Sequence, residues 1–244
     1  MIMILYYVRH GDPIYEPDSL TELGHKQAAA LAKRFSLYGL NTVYSSPSNR
    51  ARQTAQPTCE ALGLELKICD WADENLAGAD TGYKNKDGSF VWCFDDREMV
   101  EKFNDPTVRA LGMDWYKHEY FTHFPFEKGM KRIYAAVDDF LLALGYQHDR
   151  GKCCYRKVGE SPERVALFAH GGARMMIVSA FLDIPYPQLC TRCSISHTGV
   201  TAIVFDTAGF GDDAPVYPKV FQHANDSHLY KEGLLTGYNN TLKI

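Results

Sequence analysis

The chain has 244 residues, 45% of them hydrophobic and 23% charged, the balance of a soluble globular protein with one large domain or two small ones. A formal net charge of −4 and a pI near 6.1 argue against a general nucleic-acid binder, which is usually basic, while leaving room for a locally basic anion pocket. No run reaches membrane-spanning length, and the first residues lack the basic segment and cleavage site of a secretory signal, so a cytoplasmic setting with no membrane partner is expected. Seven cysteines, an odd number, suit reduced thiols, and neither Cys153-Cys154 nor the Cys190/Cys193 pair supplies the four ligands of a structural zinc site. No metal or other cofactor is expected.

Ile2 to Val8 is an unbroken apolar run, the pattern of a strand buried on both faces, and it stops at Arg9-His10-Gly11. Such a strand delivers charged, titratable groups to the rim of a sheet, where open α/β folds bind ligands. His10 is read as a nucleophile and Arg9 as the holder of an anion beside it. After a loop broken by Pro13 and Pro17, Thr21 caps a predicted helix with Leu23, Gln27, Leu31 and Phe35 on one line, ended by Gly39. A short strand over Thr42-Val43-Tyr44 leads to Ser46 as a predicted N-cap with Pro47 at the first helical position. Arg50 then falls in the first turn, against the helix dipole, where an anionic ligand would explain it and a solvated surface arginine is the alternative. Ala51, Ala55, Thr58 and Leu62 carry the predicted buried face, and Gly63 closes the helix.

A strand over Leu64–Cys69 precedes Trp71 and Glu74. From about 75 to 126 periodicity fades, yet rings such as Tyr83, Phe90, Trp92, Phe94 and Trp115 are too many for a disordered linker. This stretch is read as an ordered, lid-like excursion over one edge of the sheet, helical around Arg97–Lys102 and Thr107–His118, inside a single domain spanning 1–244. Helical spacing returns from Glu127 to Leu144, and a polar surface connection is expected over 147–162. Arg164–Ala169 is a second buried strand, ending in His170-Gly171-Gly172 ahead of a helix. A further strand over Thr198–Asp206, an edge at Lys219–Gln222 and a polar tail follow.

One His-Gly at a strand end is weak evidence, but two, with an arginine at a helix start between them, are less easily coincidental. Arg9-His10-Gly11, then Leu20-Thr21-Glu22-Leu23-Gly24 with Gln27, then Ser45-Ser46-Pro47-Ser48-Asn49-Arg50-Ala51, then Glu74 after Trp71, then His170-Gly171-Gly172, resemble the histidine phosphatase superfamily, the phosphoglycerate mutase-like group. The resemblance runs over nearly the whole chain except the excursion. It implies an α/β fold, a three-layer α/β/α sandwich with a mostly parallel central sheet, and a phosphohistidine intermediate on His10. It puts the phosphate pocket at Arg9, Arg50, His170 and Gly171, a catalytic role for His170 as a third cationic donor if protonated, and the proton donor at Glu74, ahead of Asp73 and Asp80. Ser48 stands where many members carry leucine, read as a packing change that leaves the chemistry untouched. Gly11 is expected to keep a side chain away from the phosphoryl group.

Membership leaves the reaction open. Lys84, Lys86, Arg97, Lys102 and Arg109 are interleaved with acids and form no tight basic cluster, which favours hydrolysis of a small phosphorylated metabolite. A 2,3-bisphosphoglycerate-dependent phosphoglycerate mutase and a non-catalytic phospho-ligand binder are the alternatives. The oligomeric state stays open, a homodimer being one option.

Overall fold

The computed structural model describes residues 2–85, 87–207 and 214–239, so Met1 and Lys86 lie outside the described residues. The apolar run forms β1 (Ile2–Arg9), followed by a ribbon of β2 (Pro13–Ile14) and β3 (Ser19–Leu20). Next come α1 (Glu22–Tyr38), β4 (Thr42–Ser45), α2 (Asn49–Leu62) and β5 (Leu66–Ile68). The aromatic stretch opens with α3 (Glu74–Thr81), a hairpin of β6 (Gly82–Lys84) and β7 (Phe90–Trp92), and the short helices α4 (Arg97–Phe103) and α5 (Pro106–Ala110). α6 (Phe126–Ala143) and a second hairpin, β8 (Tyr146–Asp149) and β9 (Cys154–Lys157), lead to β10 (Arg164–Ala169), α7 (Gly171–Leu182) and α8 (Tyr186–Cys190). β11 (Val200–Asp206), β12 (Lys219–Asn225) and α9 (Ser227–Lys231) complete the described elements.

Six strands form the central sheet in the order β12-β11-β1-β10-β4-β5. The four from β1 to β5 are parallel, and β11 and β12 run antiparallel at one side. Alternation along β1 serves two cores. Met3, Leu5 and Tyr7 join Ile133 and Val137 of α6 and Met176 and Ile177 of α7, whereas Tyr6 and Val8 join Leu31 and Phe35 of α1 and Ala55 and Cys59 of α2. Helices therefore cover both faces of a mostly parallel sheet, the three-layer arrangement expected, and each such burial contributes about 1.5–3 kcal/mol. Among the described residues no helix is long and apolar enough to cross a membrane.

Strand register sets the rim. Arg9 lies level with Ala169, and Phe168 level with Ser45, so His10, His170 and Ser46 emerge side by side. β11 runs the other way and begins at Val200, opposite Val8, which brings the residues just before it to the same rim.

Four local expectations differ from the structure. Leu23 is 39% exposed and does not share the buried line of Gln27, Leu31 and Phe35. α2 starts at Asn49, not after Ser46, because Ser46 is committed to His170 and the Asp18 carboxylate, from the loop before β3, accepts the Asn49 N–H at 2.6 Å. A cap from a distant loop replaces the local one. The 147–162 stretch is a β-hairpin rather than a plain connection, with Tyr146 and Tyr155 fully buried. Gly11 is required on its other side: a Cβ there would lie 2.8 Å from the Gly24 carbonyl oxygen, so the glycine lets α1 approach the loop after β1.

Candidate active site

His10 follows β1 and is 2% exposed. Its backbone N–H still donates to Ala169 O at 2.9 Å, continuing the sheet ladder. The ring Nδ1 lies 2.7 Å from the Gly11 carbonyl, which only accepts, so Nδ1 carries the proton and Nε2 keeps its lone pair. Burial first, then the nearby His170 and Arg9, hold the His10 pKa well below its ordinary value. The result is a neutral imidazole with a fixed tautomer. Its ring stands 5.2 Å from that of His170 and stacks 5.9 Å from that of His197.

Two guanidinium groups flank it. Arg9, the last residue of β1, is 7% exposed and donates to Ile195 O at 2.7 Å and to the side-chain oxygen of Asn239. Arg50, in the first turn of α2, pairs with Asp18 at 2.7 Å and donates to His170 Nδ1 at 3.1 Å. Its side chain is 11% exposed, so it is not a solvated surface arginine. The Nε of each arginine is buried without a partner among the described residues.

His170 ends β10 and precedes α7. Because Nδ1 accepts from Arg50, Nε2 bears the proton and donates to Ser46 Oγ at 2.7 Å, with Ser48 Oγ at 3.0 Å. Ser48 therefore touches the site, contrary to its reading as a packing change. Burial, then Arg50 and Arg9, push the His170 pKa well down. The ring is neutral here rather than a third cation. Gly171 begins α7 against Arg9, where a Cβ would sit 3.4 Å from the Arg9 Nε.

Glu74 begins α3, and the structure brings it, not its acidic neighbours, to the cavity. Asp73 caps α3 through the Asn75 N–H, and Asp80 pairs with Arg132 at 2.6 Å. The Glu74 carboxylate accepts from Gly172 N at 3.1 Å and Ala173 N at 2.9 Å, two of the free donors at the start of α7. Burial raises its pKa, outweighing those N–H groups and the attraction of Arg50 and Arg9. A raised carboxyl beside a depressed imidazole is the division of labour expected of an acid and a nucleophile.

Arg9, His10, Arg50, Glu74 and Gly171 border a cavity of about 450 Å³, while His170 lies behind its wall, held by Arg50 and Ser46. Its wall also holds residues that sequence reasoning missed, among them Tyr15, Asp95, Ile195, Tyr238 and Asn239. His197 donates from Nε2 to Asn239 at 2.7 Å, and burial, then Arg9, lower its pKa to about 4. Its position just before an antiparallel neighbour of β1 was the available signal. Among the described residues no group of three or more His, Cys, Asp or Glu is placed to hold a metal ion.

A family model described as histidine phosphatase superfamily (branch 1) matches residues 5–89, the segment that carries β1, α1, α2 and Glu74. Over that segment the chain is similar to the histidine phosphatase superfamily. A putative phosphoserine phosphatase 2 of Hydrogenobacter thermophilus is 25% identical over 208 residues, covering 82% of this chain and 88% of its own. Two solved structures share the fold at lower identity. A mycobacterial glucosyl-3-phosphoglycerate phosphatase has TM-score 0.58 and 17% identity, over 92% of this chain and 99% of its own. A mutant phosphoserine phosphatase from Entamoeba histolytica, solved in complex with phosphoserine, has TM-score 0.58 and 18% identity, over 93% and 99%. This fold is thus shared across proteins of very different sequence.

Proposed function

We propose that the chain hydrolyses phosphomonoesters of small metabolites through a phosphohistidine on His10 Nε2. The observation that carries this reading is the 2.7 Å bond from His10 Nδ1 to Gly11 O, which leaves Nε2 unprotonated beside two arginines. Relatives named phosphoserine phosphatase and glucosyl-3-phosphoglycerate phosphatase support it. In the first step the Nε2 lone pair forms the N–P bond while the P–O ester bond breaks. Its electron pair leaves on the alcohol oxygen, which takes a proton from Glu74. In the second, water attacks phosphorus and gives a proton to the Glu74 carboxylate, and the N–P electron pair returns to Nε2. Arg9 and Arg50 present N–H forks to the equatorial oxygens, with His170 and Gly171 beside them.

The mutase alternative needs cations for a second anionic group. Among the described residues the cavity wall has no lysine and no arginine besides Arg9 and Arg50. Arg97 and Lys102 instead pair with Glu101 and Glu98. Water is therefore the better acceptor. The excursion acts as a fixed wall of the site, within one domain, since its Trp92, Phe94 and Asp95 border the cavity. Reduced cysteines, most of them buried, fit a cytoplasmic setting.

Release of p-nitrophenol from its phosphate ester by wild type and His10→Ala tests the proposal. Loss of activity in the variant, with acid-labile and base-stable labelling of wild type, is expected. Equal rates would remove His10 as nucleophile, and turnover of 3-phosphoglycerate to its 2-isomer faster than hydrolysis would restore the mutase.

A further inference from the structure

Once a phosphate lies against Arg9 and Arg50, the rest of the cavity wall must receive the alcohol part of the ester. Among the described residues that wall is rich in rings and, apart from Glu74, carries one further carboxylic acid, Asp95. Resting on the phosphatase reading above, we propose that the site selects phosphomonoesters of alcohols with a positively charged nitrogen, held between the Asp95 carboxylate and the Trp92 and Phe94 rings.

The local chain explains how these side chains meet. β7 ends at Trp92, and the Asp95 N–H donates back to Trp92 O at 2.9 Å, closing a turn. Cys93 is fully buried, with its sulfur 3.2 Å from Tyr186 Oη, which anchors the turn to the core beside α8. Trp92, Phe94 and Asp95 are left to the cavity. The two rings stack at 5.3 Å with an interplanar angle of 15°, a paired surface rather than two independent side chains.

Charge complementarity selects the occupant. The Asp95 carboxylate has no ion pair or hydrogen bond among the described residues, and partial burial raises its pKa although the residue is exposed. Arg174, nearby in sequence to the phosphate pocket, is fully buried against His223 and the Met175 sulfur and does not border the cavity. A second anion would meet Asp95 and Glu74 with, among the described residues of the wall, no cation beyond those already holding the phosphate. A neutral polyol can donate from its hydroxyls to Asp95 but lacks the charge attraction to the carboxylate and the rings. An ammonium or quaternary ammonium group gains from both the carboxylate and the faces of Trp92 and Phe94.

The test compares each cationic ester with a neutral one of similar shape: phosphocholine with 3,3-dimethylbutyl phosphate, and phosphoethanolamine with propyl phosphate. We expect kcat/KM for at least one cationic member to exceed its neutral partner by about fivefold or more, the scale of one cation–π contact with a carboxylate nearby. In Asp95→Asn that ratio falls toward one, and Asp95→Glu restores part of it. Ratios below about fivefold for both pairs, or a ratio that Asp95→Asn leaves unchanged, overturn the proposal while p-nitrophenyl phosphate is still hydrolysed. Failure to hydrolyse p-nitrophenyl phosphate as well marks the different case in which the phosphatase reading itself falls, and this selectivity with it.

Discussion

The carboxylate of Glu74 sits on the first turn of α7, its Oε2 accepting the Ala173 N–H at 2.9 Å and its Oε1 that of Gly172 at 3.1 Å. Two elements far apart in sequence are joined at the point where the proposed mechanism calls for a proton donor. Glu74→Gln keeps an acceptor for one N–H but holds no transferable acid. For an alkyl phosphate we expect kcat to fall by about 10²-fold or more. For p-nitrophenyl phosphate, whose leaving group departs without protonation, the loss is smaller. Steady-state kinetics on both esters check this, and equal losses would remove Glu74 as the acid.

The pH dependence follows from Glu74 together with His10. His10 must be neutral to attack, and its pKa is held well below 6.5, so this requirement is met from mildly acidic pH upward. Glu74 must be protonated to donate, and its pKa is raised above 4.5, so activity declines as pH climbs through that raised value. The kcat/KM profile for an alkyl phosphate is expected to be bell-shaped on the acid side of neutrality. Glu74→Gln should lower the profile and flatten its alkaline limb, and an unchanged limb would assign that limb to another group.

Ser46 and Ser48 share the proton on His170 Nε2, at 2.7 and 3.0 Å. Ser48→Ala leaves Ser46 in place and should change stability and kcat/KM only slightly. The double variant Ser46→Ala/Ser48→Ala leaves a buried N–H without a partner, expected to cost about 1–3 kcal/mol in urea unfolding. It should also loosen the ring that Arg50 contacts. Additive small losses in the two single variants would contradict a shared partner.

Much of this site was legible because a buried parallel strand announces its own end. β1 and β10 read as apolar runs halted by Arg9-His10 and His170, and parallel register alone places both at one rim. Arg50 stood out because a first-turn cation opposes the helix dipole. Glu74 needed the family resemblance, since three carboxylates near Trp71 look alike in one dimension. His197 was missed because β11 is antiparallel, so its entrance rather than its exit meets the site. Asp18, which caps α2 and pairs with Arg50, lies in a loop whose path no periodicity describes. Trp92 ends a hairpin with strands of three residues, too short to carry a period-two signal, and Asp95 lies in the turn that follows it.

Gly11→Ala tests the close approach of the loop after β1 to α1. Its Cβ would meet the Gly24 carbonyl oxygen at 2.8 Å, and that oxygen is backbone, with no flexible end to swing away. The loop or the start of α1 must shift, at a cost of about 1–3 kcal/mol. Because the Gly11 carbonyl holds His10 Nδ1, the shift should also lower kcat. Wild-type stability and kcat in this variant would show that the packing yields without disturbing the ring.

A histidine outside the catalytic cavity ties stability to pH. His148 is clasped at 2.8 Å by Asp138 on Nδ1 and at 2.8 Å by Asp183 on Nε2, and Arg150 bridges the same two carboxylates. Burial pulls the His148 pKa down, but the hydrogen bonds to Asp138 and Asp183 outweigh it, and the net shift is upward. A histidine raised in the folded state binds its proton more tightly than in the unfolded chain. Its stabilisation is therefore fully present below the unfolded pKa of about 6.5 and fades as pH rises through the folded value. His10, His170, His197 and His228 are shifted the opposite way, so their contribution fades as pH falls below about 6.5. The unfolding free energy of wild type minus that of His148→Gln cancels the second group and isolates the first. That difference should shrink as pH is raised above about 6.5, and a constant or growing difference in urea titrations across this window would show that His148 is not held as a cation between the two carboxylates.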